Sequence, residues 1–227
     1  MSYNDVIVKK PWGYEYLCYQ NMDIAVWFLF IKAGESTSLH CHPNKNTGFI
    51  VLNGEVELSF LRNSLRMKGL EKIHIFRSRF HSTRALSEPG AFLLEIETPE
   101  DKHDLVRLED SYGRQGQAYE SKDYQSPKNK DCFWIGEPGD DGDACSVQGC
   151  SLRHFQALDL SVVSGFPETE FFVITKGGVA AQTGGRILWP GDVIDGVSLE
   201  RLAKAFTIIP GSTMLHVRTE VPRAIPG

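Results

Sequence analysis

Apolar residues along this chain gather in short runs and seldom at helical spacing. Runs rich in Val, Ile, Leu and Phe occupy 24–32, 36–41, 48–53, 55–61, 72–76 and 91–97. Gly, Pro, Asn or Ser separates them, which predicts short β-strands joined by frequent turns. Asn53-Gly54 lies between the alternating residues of VLNGEVEL and predicts a two-residue hairpin. Only SLERLAKAF (198–206) has the pattern of a turn or two of helix. The longest apolar run, IAVWFLFI (24–31), is far too short to cross a bilayer as a helix. The pattern predicts an all-β sandwich or barrel.

From Ser111 to Gly149 the chain turns polar and Gly-rich, the composition of a connector or long surface loop. Strands resume at SLRHFQALDLSVV. The flanking parts read as two copies of one unit. TGFIVLNGEV (47–56) is matched by TEFFVITKGGV (169–179), and EPGAFLLEIETPE (88–100) by IPGSTMLHVRTEVP (209–222), at an offset near 121. The division is therefore 1–110, a connector at 111–150, and 151–227.

Composition narrows the function. Of 227 residues 41% are hydrophobic and 23% charged, so a sizeable core is available without staples. A net charge of -5 gives no nucleic-acid footprint. Five cysteines with no framework spacing, and no signal peptide at the start, predict reduced thiols in a cytoplasm. Cys145 and Cys150 have no second pair with which to form a metal site, and GDDGD (139–143) lacks the spacing of a calcium loop.

The candidate chemistry starts at SLHCHPNKNTGF. Residues i and i+2 of a strand share a face, so His40 and His42 project together, their Cα atoms within about 7 Å. Two such imidazoles can grip one divalent cation when another strand supplies a further ligand. His81, in FRSRFHSTR, is the candidate. At the repeat offset, His40, His42 and His81 fall near Val162, Ser164 and Leu202, so the second copy has lost the histidines.

Gly34, His40, His42 and Gly54, followed by His81, resemble the two motifs of the cupin superfamily across about residues 24–98. The flanks narrow the likeness. Pro11, Trp12 and Gly13 before the unit, and Asp104, Val106, Arg107, Asp110, Tyr112, Gly113 and Arg114 after it, resemble the cupin part of mannose-6-phosphate isomerases and related sugar-nucleotide cupins. The resemblance implies two tandem jelly-roll β-barrels, the first with a metal site and the second degenerate, in a bicupin that pairs as a homodimer. It also implies a divalent metal ion (zinc, manganese or iron) on His40, His42 and His81, and a small-molecule anionic sugar substrate.

One family residue is missing, because Thr47 stands at or beside the position of the family's metal-binding glutamate. Either three neutral imidazoles and water hold the metal, or a carboxylate such as Glu95 or Glu97 completes the shell, or metal binding has weakened. Glu95 and Glu97 share a face and, with His74, are the candidate catalytic bases. Lys45 and Arg107 are the candidate substrate-binding residues. The function expected from the resemblance is a metal-dependent isomerase or epimerase of sugar phosphates or nucleotide sugars, in carbohydrate biosynthesis. The alternatives are a three-histidine non-haem iron oxygenase and a non-catalytic sugar-binding bicupin.

Overall fold

The computed structural model describes residues 3–117, 119, 124–139, 144–160 and 165–220. Its first half contributes β1 (Val6–Lys10), β2 (Gly13–Gln20), β3 (Ala25–Lys32), β4 (Leu39–Cys41), β5 (Asn46–Asn53) and β6 (Glu55–Phe60). After these come β7 (Ser64–Lys68), β8 (Lys72–Ile75), β9 (His81–Ala85), β10 (Gly90–Thr98) and β11 (Val106–Glu109). The connector contributes β12 (Gln125–Pro127) and β13 (Cys145–Val147). The second half contributes β14 (Cys150–Gln156), β15 (Phe171–Lys176), β16 (Val179–Ala181), β17 (Arg186–Leu188) and β18 (Val193–Asp195). Helix α1 (Gly196–Ala203), β19 (Phe206–Ile208) and β20 (Thr213–Thr219) complete it. The one described helix starts two residues before the predicted stretch, where the Asp195 carboxylate accepts from the Ser198 backbone N–H at 2.8 Å.

Four antiparallel sheets stack as layers. A five-stranded sheet, β11-β4-β9-β6-β7, faces a seven-stranded one, β12-β1-β2-β3-β10-β5-β8. Between them lies the interior of the first barrel, filled by Trp12, Trp27, Leu29, Phe49, Val51, Leu58 and Leu93. The other face of the seven-stranded sheet packs on a third sheet, β13-β14-β20-β15-β18, through one continuous core. That core joins Val26, Phe28, Ile50, Leu52, Leu94 and Ile96 to Phe171, Val173, Leu215 and Val217. The fourth sheet, β17-β16-β19, closes a smaller core around Phe172, Ile174, Leu199 and Met214. The stacking explains the unbroken apolar runs, since β3 sends Trp27 and Leu29 into one core and Val26 and Phe28 into the other.

The internal repeat is visible in strand order. The series β3-β10-β5-β8 in the first half has the order of β14-β20-β15-β18 in the second, and β9-β6-β7 has that of β19-β16-β17. Among the described residues β4, which carries His40 and leads into His42, has no counterpart in the second half. Val162 and Ser164 lie outside the described residues, and Leu202 sits in α1.

Two expectations need correcting. Asn53-Gly54 is not a hairpin, because β5 pairs with β8 and β10 while β6 pairs with β7 and β9. The dipeptide is a corner where the chain leaves one sheet for the facing one. Gly54 has φ +90, and a Cβ there would meet the Gly90 carbonyl oxygen at 2.7 Å. The 111–150 stretch is more than a loop: β12 extends the first barrel's sheet beside β1, and β13 extends the third sheet beside β14. Ile135 within it is buried in the shared core.

Candidate metal centre

The metal candidates meet on the inner surface of the five-stranded sheet. β4 places His40, and the extended residue just past its end His42, on one side, and β9 pairs with it so that His40 lies opposite His81. One ligand atom from each of the three lies within 4.8 Å of those of the other two, and their ring centroids are 4.5–5.6 Å apart. Each Nδ1 donates to a backbone carbonyl: His40 to Ser38 at 2.7 Å, His42 to Asp104 at 2.6 Å, and His81 to Arg79 at 2.9 Å. These bonds fix the tautomer and leave Nε2 as a bare lone pair. Nε2 of His42 and of His81 is buried without a hydrogen-bond partner. Unpartnered buried nitrogens are costly, and a metal ion would supply the missing partner.

The rings are neutral for a physical reason. Burial, with His81 and His42 as neighbours, holds His40 well below its ordinary range. Burial and the nearby Lys45 push His42 down to about 2 and His81 to about 4. Neutral imidazoles are the ligand form, so the residues fit a divalent cation that takes nitrogen donors.

Behind the histidines the seven-stranded sheet carries a buried charge network. β10 turns both Glu95 and Glu97 inward, interrupting the apolar alternation of Ala91 and Leu93. Lys45 donates to Glu97 Oε1 at 2.7 Å, and Lys102 donates to the same oxygen at 3.0 Å. Lys102 also lies 3.5 Å from Glu15 and 3.9 Å from Glu95, with its ammonium 3.7 Å from the Trp27 ring centroid. Lys10 reaches Glu15 at 3.4 Å, and the Tyr119 hydroxyl donates to Glu15.

The two inward glutamates are held in different states. For Glu97 burial pushes upward, but Lys102 and Lys45 outweigh it and hold the carboxyl below its usual range. For Glu95 burial prevails over the more distant Lys102, aided by Glu97 and Glu15, and raises it to about 7. Thr47 pairs directly with Glu97 across β5 and β10. The carboxylate missing at 47 thus reappears on the neighbouring strand, where two lysines hold it.

Residues after the barrel brace the site. The Asp104 carboxylate accepts from the backbone N–H groups of Asn44 and Lys45 at 2.9 and 3.0 Å, fixing the turn after His42. Asp110 grips Arg114 through two oxygens at 2.7 and 3.1 Å, and Tyr112 donates to Glu35 at 2.6 Å. Arg107 sits opposite His40 across β4 and β11 and donates to the Gln117 carbonyl at 2.7 Å. The cavity is lined by His40, His42, Lys45, Glu95, Glu97 and Lys102, with half-buried Arg107 and Arg114 also in its wall. Its free volume is about 60 Å³.

His74 is not brought to this cavity. It pairs with Gly48, which pairs with Ile96, and Ile96 points into the core shared with the second half. His74 is therefore on the sheet face opposite Glu95 and Glu97, and its ring packs on Phe76. Sequence reasoning missed Lys10, Glu15, Lys102 and Tyr119. Glu15 could have been found, because it shares strand parity with the buried Leu17. Lys102 lies in a loop with no periodic signal.

No protein-family model matches the chain, and no curated protein sequence matches it. Among solved structures it is similar to KdgF from Halomonas sp., at 16% identity and a TM-score of 0.39, over 40% of this chain and 84% of that one. It is also similar to a conserved protein with a double-stranded β-helix domain from Klebsiella pneumoniae, at 14% identity and a TM-score of 0.39, over 48% of this chain and 90% of that one. The capsular polysaccharide assembling protein CapF from Staphylococcus aureus gives 20% and 0.43, over 48% of this chain and 35% of that one. In this chain facing antiparallel sheets hold His40 on β4, His42 just past its end and His81 on the adjacent β9. The all-β fold and the cluster of His40, His42 and His81 are the arrangement that the resemblance to cupins implies.

Proposed function

We propose that the first barrel is a metal-dependent isomerase or epimerase site for a sugar phosphate or nucleotide sugar. One observation carries the reading: three inward imidazole nitrogens and a carboxyl held near pH 7, Glu95, belong to the same barrel interior. His40, His42 and His81 would hold a divalent ion, which would supply Lewis-acid polarisation of a carbonyl or hydroxyl oxygen. Glu95 takes the proton from the carbon beside that carbonyl and returns it, a task suited to a group titrating near the working pH. Lys102, 3.9 Å from Glu95, favours the ionised carboxylate that accepts the proton. Glu97, doubly held by lysines, is a fixed countercharge. Arg107 and Arg114, in the wall of the same cavity, would face the anionic part of the substrate.

The test is deuterium exchange. Metal-loaded protein in D2O should incorporate deuterium into a sugar phosphate or nucleotide sugar at the carbon next to the carbonyl. Glu95→Gln should lower that rate by about 10²–10⁴-fold with metal content intact, and His40→Ala should lose the metal. Exchange with no substrate of either class, from protein shown to hold stoichiometric metal, would overturn the assignment. A ligand cluster made of three neutral imidazoles alone favours a second reading, a non-haem iron oxygenase. Iron in the purified protein with substrate-dependent oxygen uptake would establish that reading instead.

A further inference from the structure

The second half, without the histidine cluster, keeps an open cavity of its own. About 370 Å³ lies beside Phe155, Leu158, Phe166, Phe172 and His216. This is several times the free volume beside the first barrel's histidines and within the range of small-molecule sites. Its position follows from the repeat. In the first barrel Glu95 pairs with Phe49 on one side and Trp27 on the other. In the second, His216 pairs with Phe172 on one side and Arg153 on the other. The cavity is thus the second barrel's equivalent of the Glu95 region. Arg153 borders it but is engaged in an interaction of its own, so recognition falls to the buried polar group of the wall, His216, which is 7% exposed.

The His216 ring is held in one orientation and one tautomer. It stacks on Phe172 at 4.6 Å and 4°, and Phe166 meets both rings edge-on at 4.9 and 5.3 Å. Its Nε2 donates to the Glu170 carboxylate at 2.6 Å, which leaves Nδ1 as a lone pair. Nδ1 has no hydrogen-bond partner, yet it is not sealed in the interior, so it opens to the cavity that the ring borders. Burial outweighs Glu170 and holds the ring below its ordinary range, so Nδ1 remains an acceptor at neutral pH. Phe155, Phe166 and Leu158 add apolar wall, against which a charged ligand of either sign would lose hydration. Glu170, bonded to the same ring, disfavours an anion further. Two metal-ligating side chains do not make a metal site, and the one three-ligand cluster among the described residues is in the first barrel. We propose that the second barrel binds a neutral planar ring bearing an O–H or N–H donor, its face against Phe155 and Phe166 and its donor on His216 Nδ1.

The probe is phenol, titrated into the full chain and followed by NMR. Anisole, which lacks the donor, and cyclohexanol, which lacks the flat ring, are the comparisons. Phenol should saturate one site with a Kd of about 1 mM or tighter, and at least tenfold more tightly than either comparison. In the imidazole nitrogen spectrum the Nδ1 signal of His216 should move with that saturation, while the first barrel's histidines stay in place. His216→Phe, which keeps a ring on Phe172, should weaken phenol at least tenfold in protein whose melting curve shows it folded. Leu158→Asn, at a position 74% exposed and outside the cores, does not depend on that variant folding and should weaken phenol at least threefold. The proposal fails if phenol does not saturate, if anisole or cyclohexanol binds as well, or if His216 Nδ1 does not respond. It fails equally if folded His216→Phe or Leu158→Asn retains full affinity.

Discussion

Every titratable ring in the metal cluster is costly to protonate while the protein stays folded. Folded-state values for His40, His42 and His81 lie below the ordinary one of about 6.5. Their contribution to stability is complete above that pH. It is lost on acidification, as the unfolded chain takes up protons the folded one refuses, down to about 4 at His81 and about 2 at His42. Glu95 works in the opposite direction. Raised to about 7, it holds a proton in the folded state, so its contribution is lost as pH climbs from the ordinary carboxyl range through 7. Urea unfolding of the metal-free protein should show stability falling from pH 6.5 to 4.5, by up to about 1.4 kcal/mol per pH unit for each histidine. Glu95→Gln should steepen that fall and His81→Asn should flatten it. Identical slopes in all three proteins would contradict the burial account. Much of this was legible at the residue level. The i, i+2 rule placed His40 with His42 and Glu95 with Glu97. It could not separate the two glutamates, because Lys45 and Lys102 reach Glu97 from loops whose course depends on the whole barrel.

Strand positions were legible wherever an element is apolar on both faces. β3, β5 and β10 stand out as unbroken runs because each lies between two cores. β4 was not legible at its true length, since three residues held by one pairing to β9 and by β11 carry little pattern. Asn53-Gly54 misled for a related reason. A left-handed glycine after alternating residues signals a reversal, and the sequence alone does not say whether the next strand pairs with the last or crosses to the facing sheet. The corner makes a stability prediction. Gly54→Ala places a methyl group 2.7 Å from the Gly90 carbonyl oxygen and from Ser87 Oγ, at φ +90, and should cost about 2–5 kcal/mol. Gly34→Ala has φ +76 with nothing within 4 Å and should cost only the backbone strain, about 1–2 kcal/mol. Denaturant midpoints of the two variants test this ordering, and equal losses would show that the corner is not close-packed.

At the scale of the molecule the two halves are one folding unit, because the middle core belongs to both. Leu215, from the second half, is fully buried there beside residues of β5 and β10. Leu215→Ala should cost about 2–5 kcal/mol and lower the unfolding midpoint reported by Trp27, which is buried in the first barrel, in a background whose other three tryptophans are Phe. Circular dichroism should give the same midpoint. A Trp27 transition left unmoved while part of the dichroism shifts would mean that the halves unfold separately. The duplication was legible as two matched segments, and the way the copies stack was not. A connector that reads as polar loop gives no hint that β12 and β13 tie it into two different sheets.

The bond from His42 to the Asp104 carbonyl also has a consequence in time. During synthesis the chain emerges from its N-terminus, so the strands that carry all three histidines are available before residue 104 exists. A nascent chain ending at Thr98 has every candidate metal ligand. It lacks the carbonyl that orients one of them, the carboxylate that sets the turn beside it, and β11, which backs their strand. Ligands come first and their orientation later, so a metal captured by the growing chain would meet a site not yet fixed in shape.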